Sequence, residues 1–242
     1  MASFAVVPVV DLMGGLVVHA RAGERERYRP LADSKLVGSA EPVAVVEALL
    51  ALHPFCALYI ADLDAIRGCG DHRPLLAELA RRFPRLALWV DAGIAQEEPL
   101  RELLALPAVR SVLGSESQAD PRLLERARAI APERIVLSLD WRGEEALDPA
   151  GLRARPELWP RDVVVMTLAR VGTGSGPDVG RLEEVRRAAG SQRRVWAAGG
   201  VRGLEDLEGL RERGIAGALV ATALHDGRLG RTELARLAAL GS

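Results

Sequence analysis

Short β-branched apolar runs alternate eight times with longer stretches of helical period. This alternation restricts the chain to an α/β architecture on a parallel sheet. The expected strands are Phe4–Val10, Cys56–Ala61, Leu86–Val90, Val109–Leu113, Arg134–Leu139, Asp162–Met166, Arg194–Ala197 and Ala216–Val220. Between them Val43–His53, Arg73–Arg82, Pro99–Leu106, Pro121–Ile130, Val179–Ala189, Leu204–Arg213 and Leu229–Leu240 read as amphipathic helices. Only the fifth strand is followed by no clear helix. Eight βα units in 242 residues fit a closed (β/α)8 TIM barrel better than a doubly wound sheet. No Gly-x-Gly-x-x-Gly follows the first strand, so the dinucleotide fingerprint is missing.

The chain also repeats itself. Trp89-Val90-Asp91-Ala92-Gly93-Ile94 returns 107 positions later as Trp196-Ala197-Ala198-Gly199-Gly200-Val201. Val10-Asp11-Leu12 after the first strand likewise faces Leu139-Asp140-Trp141 after the fifth. Two fused (β/α)4 halves, residues 1–132 and 133–242, are expected to place equivalent loops opposite one another at a shared mouth. No Pro/Gly/Ser linker marks the junction, so residues 1–242 are read as one domain.

Charge and cysteine usage narrow the partners. With 32 basic against 33 acidic residues the net charge is -1, without the basic footprint of a nucleic-acid binder, so an anionic ligand must be held locally. The two cysteines, Cys56 and Cys69, support neither a disulfide framework nor a cysteine zinc site. No apolar stretch reaches the ~18 residues needed to span a bilayer. Phe4–Val10 reads as a strand rather than a leader, and the cytoplasm is the expected compartment.

In a barrel the chemistry gathers at the C-terminal ends of the strands. Asp11 and Asp140 follow strands in opposite halves, and opposed carboxyl groups can divide acid and base work if their surroundings separate their proton affinities. Each also fits the bland role of loop cap. Asp62 and Asp64 close the second strand as candidates to orient substrate hydroxyls; with His72 they form a weak metal candidate, and no metal is expected. A phosphate-like set follows the seventh and eighth strands, Gly199, Gly200, Ala221 and Thr222, where barrels most often keep a phosphate. Its counterpart is Gly93, Gly114 and Ser115, compromised by Asp91, whose carboxylate repels an anion. Between residues 20 and 36, Arg21, Arg25, Arg27, Tyr28, Arg29 and Lys35 read either as a solvated segment or as a ligand-gripping lid.

Val7-Pro8-Val9-Val10-Asp11-Leu12-Met13-Gly14-Gly15, Asp62-Leu63-Asp64-Ala65, Ser138-Leu139-Asp140, Thr167, Gly172-Thr173-Gly174-Ser175-Gly176, Gly199-Gly200-Val201 and Thr222-Ala223-Leu224 together resemble the histidine-biosynthesis barrels along nearly the whole chain. Within that family the chain is more similar to the isomerase than to the cyclase, whose first-loop lysine is replaced by His19. The resemblance implies an Amadori rearrangement of a phosphorylated N-linked aldose to a ketose, with Asp11 as base, Asp140 as acid and Thr167 in support. Gly172 and Thr173 join the substrate loop, and no metal or organic cofactor is implied. Three departures stand out: Asp91-Ala92-Gly93-Ile94-Ala95 replaces the usual Gly-Gly-Gly-Ile-Arg, Val171 replaces an aspartate, and Ala221 replaces a glycine. They imply unequal anion sites and leave open whether the substrate carries one phosphate or two. They also keep open a paralogue working on another sugar phosphate, for example in a one-carbon cofactor route, or a non-catalytic ligand-binding barrel. Oligomeric state is not legible.

Overall fold

Eight parallel strands close on themselves: β1 (Ala5–Met13), β2 (Ala57–Asp62), β3 (Ala87–Asp91), β4 (Val109–Gly114), β5 (Ile135–Arg142), β6 (Asp162–Thr167), β7 (Arg194–Ala198) and β8 (Gly217–Val220). The computed structural model describes residues 4–239, without the side chain of Arg25. Closure runs through β1 and β8, where Ala5 pairs with Gly217 and Pro8 with Val220. Strands of this kind are covered on both faces, which is why they read as near-continuous apolar runs. On β2, Leu58 and Ile60 pack outward under the helices, whereas Tyr59 and Ala61 point into the barrel.

The helical layer comprises α1 (Pro42–Leu52), α2 (Arg73–Arg82), α3 (Glu97–Ala105), α4 (Arg122–Ile130), α5 (Val179–Ala189), α6 (Leu204–Glu212) and α7 (Arg231–Ala239). Leu240, the expected end of α7, lies outside the described residues. The Glu41 carboxylate caps α1 by accepting from the Val43 and Ala44 amides, and Asp178 caps α5 through the Arg181 amide. Between β5 and β6 no α-helix forms. Pro149, Gly151, Pro156 and Pro160 break the segment, and two 3-10 turns, Leu152–Ala154 and Pro156–Leu158, carry the chain across. The buried Trp159 ring fills the place of the helix, its indole N–H donating to the Leu152 carbonyl at 2.7 Å.

The barrel interior is filled by Val7, Tyr59, Trp89, Val112, Val136, Val164, Trp196 and Leu219. Trp89 of β3 and Trp196 of β7 meet edge to face at 4.9 Å in its centre. Asp162 lies below them at the N-terminal end, fully buried. It accepts two bonds from Arg194 at 2.7 and 2.8 Å, one from Arg110 at 2.6 Å and one from the Trp196 indole at 2.8 Å.

β1 runs beyond its expected end at Val10, because Gly14 and Gly15 turn the chain back into Leu16–His19, antiparallel to β1. Arg29–Pro30 adds to that ribbon. The long first loop is therefore folded. Tyr28 and Leu31 are buried, Arg27 pairs with Glu24, and Arg29 donates to the Glu26 and Tyr28 carbonyls.

Candidate active site

A cavity opens at the C-terminal mouth and encloses about 1440 Å³ counting its open side. Asp11, Asp140, Gly172, Gly199, Gly200, Ala221 and Thr222 all line it, while Thr167, Thr173, Gly93, Gly114 and Ser115 do not. Asp11 on β1 and Asp140 on β5 stand four strands apart in a ring of eight, hence on opposite walls.

Asp140 is 6% exposed. Its Oδ1 accepts the Ser138 hydroxyl at 2.5 Å, and its Oδ2 accepts the Glu116 amide at 3.3 Å. Ser115 faces the same carboxyl rather than the cavity. Its Oγ lies 3.3 Å from Asp140 Oδ2, accepts the Asp140 amide at 3.0 Å and donates to the Leu147 carbonyl at 2.8 Å. Burial pushes the Asp140 carboxyl up to about 8; the Ser138 bond works against this, and the nearby Asp91 and Glu116 charges add to it. It holds its proton at neutral pH. Tyr59, one layer below Asp91, donates its hydroxyl to Asp91 Oδ2 at 3.1 Å, and burial with the surrounding carboxylates holds its pKa well above the ordinary range.

The β7 end of the cavity is built around glycine. Gly199 and Gly200 have φ of +100° and +86°, and a Cβ on Gly200 would meet the Gly176 carbonyl at 2.1 Å, so no other residue fits this turn. Thr222 lies beside it, and His19 reaches across from the first loop to place Nε2 3.3 Å from the Thr222 hydroxyl. His225 is tied to the same loop through Ser34, Nδ1 to Oγ 2.9 Å; burial, with His19 nearby, lowers its pKa to about 4 and leaves it neutral. Thr173 donates to the Arg170 carbonyl in its own turn. Thr167 closes β6, its carbonyl against Gly199.

The β3 end differs. The Gly93 amide, a donor expected for an anion, donates to Asp91 Oδ1 at 3.1 Å. None of Arg21, Arg27, Arg29 and Lys35 lines the cavity; the first loop contributes His19 and Tyr28 instead. Asp62 and Asp64 serve the loops rather than a ligand. Asp62 accepts the Ala65 and His72 amides and the His72 Nδ1, Asp64 accepts the Gly14 amide, and His72 Nε2 accepts the Gly15 amide at 3.0 Å. Both imidazole nitrogens are thereby engaged. No group of three or more metal-ligating side chains occurs among the described residues, and no helix there is long and apolar enough to cross a membrane.

Sequence reasoning missed Tyr59 and Glu116, and gave Ser138 no role beyond its place in the Ser138-Leu139-Asp140 motif. Tyr59 reads as an ordinary core aromatic inside an apolar run. The period-two position of Ser138 relative to Asp140 was the one available signal, since both side chains face the same side of β5.

Ionisable side chains and glycine turns gathered at the strand C-termini define the class of the (β/α)8-barrel enzymes. Within that class the chain belongs to the histidine biosynthesis protein family, which matches residues 5–230. An isomerase of Thermus thermophilus, named 1-(5-phosphoribosyl)-5-((5-phosphoribosylamino)methylideneamino)imidazole-4-carboxamide isomerase, is 32% identical, covering 92% of this chain and 95% of its own. A Parafrankia protein of the same name is 30% identical over 98% and 96%. An uncharacterized protein of Methanocaldococcus jannaschii is 28% identical over 95% and 96%.

Proposed function

We propose that this protein is an aldose–ketose isomerase acting on a phosphorylated N-linked ribose, the imidazole-carboxamide step of histidine biosynthesis for which its isomerase relatives are named. The observation that carries the reading is the buried, proton-holding Asp140 opposite Asp11 at the barrel mouth. Asp140 donates its proton to the ring oxygen of the aminoaldose, which opens the ring and leaves an iminium at C1. Asp11 removes the proton from C2, and the resulting enolamine becomes the aminoketose when Asp11 returns a proton to C1 and the C2 hydroxyl gives its proton to the Asp140 carboxylate, which restores both groups. Oxidation levels exchange between C1 and C2 of one molecule, so the step balances without a redox partner. Ser138 and Ser115 orient the acid, and Gly199, Gly200 and Thr222 hold a phosphate through backbone donors. The test is growth of a histidine auxotroph lacking the isomerase, together with turnover of the bisphosphorylated substrate by the purified protein. Growth and turnover are expected; absence of both from a folded protein overturns the reading.

Asp91 favours a second reading, because it already takes the Gly93 amide that a second phosphate would use. On this reading the substrate carries one phosphate and belongs to another route. Failed complementation, with tight binding of a monophosphorylated aminoaldose, would select it.

His19 offers a further check on the phosphate end. His19→Ala should raise KM about tenfold with little change in kcat, the worth of one charge-assisted hydrogen bond to phosphate. An unchanged KM would place the phosphate elsewhere.

A further inference from the structure

Asp91, another carboxylate lining the cavity, has no part in the reaction proposed above. It closes β3 beside Ala61 of β2 and Val112 of β4. The Tyr59 hydroxyl and the Gly93 amide, each at 3.1 Å, fix its two oxygens, and both donors favour the charged form. Gly114 stands at the end of the intervening strand. A Cβ there would lie 3.2 Å from Asp140 Oδ2 and 3.8 Å from Asp91 Oδ2, so the two carboxyl groups converge on a backbone position without a side chain.

We propose that Asp91 is a positioning residue: pinned by Tyr59 and Gly93, it sets a negative charge against Asp140 across Gly114 and keeps the proton on Asp140, which enters the reaction as the acid. The proposal rests on the acid–base reading above. Other groups face Asp140 too. Glu116 approaches from the turn after β4 with both carboxylate and amide, Tyr59 from β2, Asp11 from the opposite wall, and the Ser115 and Ser138 hydroxyls touch it directly. Arg142 lines the same cavity from the exposed end of β5, while His19 and His225 line it on the β8 side. Asp91 brings a carboxylate oxygen to the Gly114 position, where Glu116 presents its Cγ instead.

Asp91→Asn keeps the shape and an acceptor for Tyr59 or Gly93 while removing the charge. The Asp140 titration, followed by carbon-13 NMR of labelled aspartate carboxyl groups, should then move to lower pH by about one unit. The acid works only while protonated, so the alkaline limb of the kcat profile should move down with it. Asp91→Ala carries the same expectation should the amide variant not fold. An unmoved midpoint in a folded variant overturns the proposal. The titration needs no turnover, so the two readings fail separately: a shifted midpoint in a protein that isomerises no aldose refutes the isomerase alone, and an unshifted midpoint in an active enzyme refutes Asp91 alone.

Discussion

Asp140→Asn is expected to lower kcat about 10²–10⁴-fold while leaving the barrel folded, and Asp11→Asn should do the same. The amide at position 140 retains an oxygen for the Ser138 hydroxyl at the site where that bond is 2.5 Å in the native protein, so the local packing survives. What disappears is the exchangeable proton. Steady-state rates on the true substrate, with near-ultraviolet circular dichroism as the folding control, check both variants. A rate above about a third of the native value removes the acid–base role from that aspartate. The native kcat should fall as pH rises through about 8, where Asp140 loses its proton.

The second large effect is on stability. Asp162→Ala should cost about 3–5 kcal/mol, because it strands the Arg110 and Arg194 guanidinium groups at the barrel floor and leaves the Trp196 indole without its acceptor. For a chain of this size that corresponds to a Tm lower by about 10 °C. Calorimetry would show it, and an unchanged Tm would mean that the cluster contributes nothing net. Its pH dependence has a definite sign. Burial alone would raise the Asp162 carboxyl, but the Arg194 and Arg110 contacts and the Trp196 bond overcome it and hold the group below the usual carboxylate range. Its stabilisation is present above the unfolded-state value near 4, and is lost as pH falls through the lower folded value.

Strand and helix placement was legible because doubly covered strands and amphipathic helices write their periods into the chain. The segments 73–82 and 179–189 match α2 and α5 residue for residue. The unclear helix after the fifth strand is a true absence, forced by Pro149, Pro156 and Pro160. The ribbon of the first loop was not legible. Its pairing of His19 with Arg29 spans an arginine-rich stretch with no alternation. Within the site, the opposed positions of Asp11 and Asp140 followed from the repeat. The bonds from Tyr59 to Asp91 and from Ser115 to Asp140 join residues 32 and 25 positions apart, and no local pattern encodes such partnerships. Asp62, Asp64 and His72 illustrate the converse. Residue types suited to a metal or a substrate are spent on fastening one loop to the next.

The two central indoles have an optical consequence. Trp89 and Trp196 lie 4.9 Å apart with their planes at 82°, one from β3 and one from the opposite β7. Transitions that close must couple, which gives the folded chain a near-ultraviolet exciton signature that neither tryptophan produces alone. Because the partners sit on opposite walls, the signal exists only when the ring of strands is shut. Stopped-flow dichroism in that band would therefore time closure itself, separately from the appearance of helices, using chromophores the protein already contains.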